Sequence, residues 1–161
     1  YKKFNFKKLI MSAKNKFCYK RLAGELSKLQ KSPIEGIKIN PTDDMLIWMG
    51  SIKGPPDTPY QQGEFSLVVR FTENYPIKPP SIKFLEPKKI FHPNFYRDGK
   101  ICIDILQSNW SPALSIEKIL VSIRSLLMDP NPSSPANREA ANLLRSDYAK
   151  YCETVKKAIN S

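Results

Sequence analysis

Histidine occurs once in this chain of 161 residues, as His92, and cysteine three times, as Cys18, Cys102 and Cys152. The cysteines are too few and too scattered for a disulfide framework, and their odd number points to reduced thiols and so to cytoplasm or nucleus. With no CxxC spacing and a single imidazole, neither a metal centre nor another cofactor is expected. Long apolar runs are also missing. In the opening YKKFNFKKLIMSAKNKF the apolar run is only Leu9 to Met11, too short for the core of a signal peptide, and nothing later spans a bilayer, so no membrane partner is expected. No Gly/Ser linker or shift in composition marks a second folding unit, which makes one domain the expectation. Acidic residues are scarce, 15 Asp plus Glu against 26 Lys plus Arg, and the formal charge of +11 favours acidic partners. Part of the excess lies at Lys2, Lys3, Lys7, Lys8, Lys14, Lys16 and Lys20. Residues 1–16 therefore read as a basic extension and residues 17–161 as the folded domain. The chain offers no nucleic-acid reader motif, which limits nucleic acid to weak electrostatic contact through the extension.

What is present has a clear order. From Phe17 to Gln30, Leu22, Leu26 and Leu29 recur at helical spacing, and Ser32-Pro33 ends the pattern. Three runs rich in branched and aromatic residues follow, Met45 to Ile52, Phe65 to Phe71 and Ser81 to Phe84, with a weaker one at Ile37 to Ile39. The connections between them are too short for parallel crossovers, so the strands predict a four-stranded antiparallel meander. The Tyr75-Pro76 bond is a candidate cis peptide. Between Lys88 and Leu114 no period is sustained, although that stretch holds the only His and a central Cys. Ser115 is a candidate N-cap for IEKILVSIRSLL, whose apolar stripe predicts a buried central helix. Two more helical patterns run from about Asn137 to Arg145 and from Asp147 to Ile159. Helix, strands, irregular segment and helices make the fold class α+β.

His92-Pro93-Asn94, with Cys102 eight residues after Asn94, resembles the active-site segment of ubiquitin-conjugating enzymes. The resemblance extends over YPIKPP, Trp110-Ser111-Pro112 and DPNPSSPAN, and covers Phe17 to Ile159. The ICIDIL context and the NPxSPAN ending are most similar to the subgroup that serves postreplication repair and histone ubiquitination. The residues agree with it at the cysteine: Ile101 and Ile103 alternate with Cys102 and Asp104, which in an extended segment turns the thiol outward. The resemblance implies that Cys102 takes ubiquitin from an activating enzyme as a thioester, which a substrate lysine then attacks. It implies that Asn94 stabilises the oxyanion of that attack or holds the loop that does so, and that His92 and Pro93 organise the loop. Asp104 matches a position that orients the incoming amine. Ser134 stands where many members carry an acidic gate residue, a departure that speaks against constitutive acid assistance from that loop. Lys20 and Arg21 match positions that meet the activating enzyme; Ile77, Pro112 and Ala113 match contacts to RING-type ligases; Val121 matches a contact to ubiquitin on the central helix. A Cys-His protease is disfavoured, because one His beside an already activated acyl group leaves no task for a strong base. A carrier of another ubiquitin-like modifier and a non-catalytic binding module of the same fold stay open as alternatives.

Overall fold

A computed structural model of the protein describes residues 13–161. Helix α1 (Ala13–Lys31) starts four residues before the leucine period does, so residues 13–16 of the expected extension are helical; the rest of that extension lies outside the described residues. The chain then forms β1 (Ile37–Pro41), β2 (Ile47–Lys53), β3 (Glu64–Arg70) and β4 (Ser81–Phe84), a single antiparallel sheet in sequential order. This is the expected meander, with β1 two residues longer than its apolar run because main-chain pairing continues to Pro41 opposite Trp48. The Tyr75-Pro76 peptide is cis.

Alternation along the strands decides which face is covered. Trp48 and Ile52 on β2, Phe65, Leu67 and Val69 on β3, and Ile82 and Phe84 on β4 point to one side and are buried. They share one core with Ile116, Ile119, Leu120, Ile123 and Leu127 of α2 (Ile116–Met128). Leu126, also counted in the stripe, is only partly buried at its edge. Ser115 caps α2 as expected, its side chain accepting from the Lys118 N–H at 3.2 Å. Helices α3 (Arg138–Ser146) and α4 (Tyr148–Ile159) are capped in the same way by Asn137 and Asp147. Among the described residues no helix is long and apolar enough to cross a membrane.

The segment expected to be irregular contains a hairpin. Phe95 bridges Ile101, the Tyr96 N–H donates to Lys100 O at 2.8 Å, and the Cys102 N–H donates to Asn94 O at 2.9 Å. Its tip needs glycine. Gly99 sits at φ +90°, and a Cβ there would lie 2.3 Å from the Phe84 carbonyl oxygen. A second bridge, Lys83 to Lys100, joins the hairpin to β4. The cysteine thus rides on an extension of the sheet.

Candidate active site

The hairpin carries the alternation predicted around Cys102. Ile101 and Ile103 are buried, Asp104 is exposed, and the Cys102 thiol is half-buried between them. Asp104 opens a short 3-10 turn, Asp104–Leu106, and is held there: Oδ1 accepts from the Ile105 N–H at 2.8 Å and Oδ2 from the Asn109 side chain at 2.7 Å. Its carboxylate is therefore fixed in place two residues beyond the thiol.

His92 is fully buried and stacked on Phe95, with ring centroids 4.2 Å apart. Nδ1 accepts from the Asn94 N–H at 3.0 Å, which leaves Nε2–H to donate to the Leu126 carbonyl at 2.8 Å. Both nitrogens are in use by backbone. Burial pushes the imidazole down to about 4, so it is neutral and has no free lone pair for the thiol. This is the loop-organising part, not that of a protease base. Pro93 contributes its carbonyl, which accepts from the Asn137 N–H at 2.9 Å at the start of α3.

Asn94 is buried and clamps the loop before α3. Its Nδ2 donates to Asn131 O at 2.7 Å while Oδ1 accepts from the Asn131 N–H at 2.9 Å. Of the two parts considered for Asn94, holding the loop is the one seen here. The same loop carries Ser134, which is exposed and has no hydrogen bond among the described residues, and is tied further by Arg145, which donates to the Pro132 carbonyl. His92-Pro93-Asn94 and the loop 129–137 thus form one unit beside the cysteine hairpin.

Two residues not singled out in the sequence belong to this site. Tyr96 stands diagonally across the hairpin from Cys102 on the same face, and the neighbouring thiol holds the phenol above its ordinary pKa. The Asp98-Gly99 pair marks a turn, but the register that puts Tyr96 and Cys102 on one face comes from a three-residue loop closed by Gly99 at φ +90°. Asn131 supplies the backbone that Asn94 grips, and only its place in DPNPSSPAN hinted at it.

The residues expected to meet partners lie at three places. Ile77, Pro112 and Ala113 are exposed on two neighbouring loops, joined where Trp110 Nε1–H donates to Pro76 O at 3.0 Å. Val121 is exposed on α2. Lys20 is exposed, but Arg21 is engaged internally: it pairs with Glu25 at 2.6 Å, donates to the carbonyls of Pro112 and Leu114 at 2.8 Å each, and lies over the Tyr75 ring. Arg21 thus braces the loop of Pro112 and Ala113, while Lys20 is exposed and has no ion pair among the described residues.

Comparison with known proteins agrees with this geometry. Residues 21–159 match the family described as ubiquitin-conjugating enzyme. The chain is 48% identical over 143 residues to ubiquitin-conjugating enzyme E2 2 of Mycosarcoma maydis, covering 88% of this chain and 76% of that one. It is 47% identical over 141 residues to ubiquitin-conjugating enzyme E2 1 of Caenorhabditis elegans, at 87% and 72% coverage. To ubiquitin-conjugating enzyme E2 3 of Arabidopsis thaliana it is 49% identical over 133 residues, at 82% and 87%. The chain belongs to the ubiquitin-conjugating enzyme family. It is a transferase that receives ubiquitin from an activating enzyme as a thioester and passes it to substrate, working with ubiquitin ligases.

Proposed function

We propose that Cys102 is the thioester-forming residue and that the surrounding unit serves attack by lysine. The observation that carries this reading is the hairpin itself. It presents a thiol on the outer face of a strand whose neighbours Ile101 and Ile103 are buried, beside a pre-set loop. A cysteine kept only for packing would sit in the core, as Cys18 does.

In this reading the activated acyl group needs no strong base, which fits a neutral, fully engaged His92. The lysine amine must lose its charge and approach the thioester from the open side of the hairpin. Asp104, fixed by Ile105 and Asn109, orients that amine; Tyr96 flanks the sulfur on the same face; Asn94 sets the loop and bears on the oxyanion. Ser134 supplies a short neutral side chain at the rim, so that position adds no negative charge unless it is phosphorylated. The exposed Ile77, Pro112 and Ala113 are the contact for a RING-type ligase, Val121 for ubiquitin, and Lys20 for the activating enzyme, its charge speeding encounter. The ICIDIL and NPxSPAN segments favour the postreplication-repair and histone-ubiquitinating subgroup, and cytoplasm and nucleus as its compartments. Nucleic-acid contact is confined to the basic extension.

The test is charging with activating enzyme, ubiquitin and ATP. Wild type should give a thiol-sensitive adduct, Cys102→Ser a slower and thiol-resistant oxyester, and Cys102→Ala none. Full charging of the Ala variant would move the acceptor to another residue.

A further inference from the structure

The outer face of the sheet, away from the core, ends in a groove of about 670 Å³ between β4 and the segment that carries the cysteine. Register sets its lining. Val68 on β3 stands opposite Lys83 on β4, and Lys83 bridges Lys100 of the hairpin, while Arg70 lies two residues beyond Val68 on the same side of its strand. Leu85 and Leu106 add aliphatic walls. The groove therefore holds three cations over an apolar floor, and no carboxylate lines it.

This arrangement is not what sheet stability calls for. Lys83 and Lys100 stand directly opposite each other in an antiparallel bridge, a like-charge pairing that destabilises a sheet. The compensation on hand is partial. Asp98 accepts from the Lys100 N–H at 3.0 Å and pairs with the Lys100 ammonium at 3.2 Å, and these, with a smaller share from Lys83, hold the Asp98 carboxyl below the usual range; Arg70 and Lys83 have no ion pair among the described residues. Positive charge is thus left concentrated in a concave, partly apolar site. The chemistry that would neutralise it is a chain segment with Asp or Glu among aliphatic residues. The site also has a direction: Lys100 is two residues before Cys102 on the same strand, and Leu106 four residues after it. An occupant would lie beside the loaded thiol.

We propose that this groove seats an acidic segment of the substrate protein and so selects lysines that have acidic and aliphatic residues nearby. The proposal rests on Cys102 as the acceptor only for its catalytic consequence; the binding itself does not. Ion pairs formed at Arg70, Lys83 and Lys100 hold the segment, Val68, Leu85 and Leu106 receive its aliphatic side chains, and the effect falls on substrate affinity rather than on chemistry.

The experiment uses the full chain and two labelled peptides, each with one lysine, flanked by Glu and Leu or by Gln and Leu. Fluorescence anisotropy on the unloaded protein reads binding, and single-turnover discharge from the ubiquitin thioester across peptide concentration reads half-saturation and maximal rate. The Glu peptide should bind and half-saturate at roughly tenfold lower concentration in low salt, the sum of three exposed ion pairs, and lose most of that advantage as screening rises. The double variant Arg70→Glu, Lys83→Glu should abolish the preference and instead favour a third peptide, flanked by Arg and likewise carrying one lysine, with the change in half-saturation and not in maximal rate. Equal binding of the two wild-type peptides, or a preference that survives charge reversal, overturns the proposal. So does a single-stranded oligonucleotide that binds through Arg70 and Lys83 more tightly than the Glu peptide. Failure to load with ubiquitin while the anisotropy preference stands would strike the assignment of Cys102 and leave the groove intact.

Discussion

Asn94 offers both ends of its amide to one peptide unit, the N–H and C=O of Asn131, across 37 residues of sequence. Replacement by alanine leaves that partly buried pair without partners, at a local cost of about 1–3 kcal/mol per group. On the roles proposed for Cys102 and Asn94, the Asn94→Ala variant should still load from the activating enzyme but discharge to lysine about a hundredfold more slowly. Hydrogen exchange at Asn131 should rise in parallel. Equal discharge at equal loading would remove the catalytic part, and unaltered exchange would remove the clamp. The sequence made Asn94 visible because it sits in a contiguous tripeptide, and Cys102 because alternation with Ile101 and Ile103 is local. Asn131 and Tyr96 were harder to see. Their partners are set by a long-range loop contact and by a hairpin register, neither of which neighbouring residue types encode.

At the scale of elements, Glu25 shows what periodicity misses. It lies on α1 with its carboxylate buried, Oε1 accepting from Arg21 at 2.6 Å and from the Tyr75 hydroxyl at 2.5 Å, and Oε2 from the Ile116 N–H at 2.7 Å. One side chain thus caps the N-terminus of α2, where a negative charge suits the helix dipole, and ties α1 to the turn holding the cis Tyr75-Pro76 bond. Burial and then this hydrogen bond drive the Tyr75 phenol far above its ordinary range. Glu25→Ala should cost about 3–5 kcal/mol, because Arg21 loses its charge partner and the Ile116 N–H its acceptor. Glu25→Gln, which keeps the shape, should cost less. Denaturant midpoints measure both, and an Ala variant within 1 kcal/mol of wild type, on the order of an exposed pair, would show the pairing to be dispensable. A lone Glu on a leucine-spaced helix reads as solvated surface, and only packing reveals otherwise. The cap at Ser115 was legible, since capping depends on residues three apart, whereas Asn137 and Asp147 were legible only as the starts of helical patterns. The start of α1 was not, because Ala13 to Lys16 bring no apolar period to mark it.

For the whole molecule, charge and pH meet at different places. Residues 1–16 carry six lysines and no acid, so residues 17–161 keep a formal charge of only +5. Much of the basic character read from composition therefore belongs to the extension and says little about the fold. Acid sensitivity comes from inside. His92 titrates near 6.5 when exposed in the unfolded chain and near 4 when folded, because burial disfavours the imidazolium and because Nδ1 must stay unprotonated to accept from Asn94. Between those values the unfolded chain binds a proton that the folded protein refuses. Stability therefore falls as pH drops from 6.5 to 4, by roughly 3 kcal/mol in total, and the loss from this residue is complete below 4. Carboxylates paired in the folded protein add their own losses at lower pH, so the His92 share must be isolated by difference. Urea unfolding of wild type and of His92→Gln at steps from pH 7.5 to 4 does this. The variant is less stable at neutral pH, where it has lost the stacked imidazole, but its curve should be flatter by up to one proton between pH 6.5 and 4, so the two should converge as pH falls. Parallel curves through that window would mean that the folded protein takes up the proton as readily as the unfolded chain, and that burial and the Asn94 hydrogen bond do not hold His92 neutral.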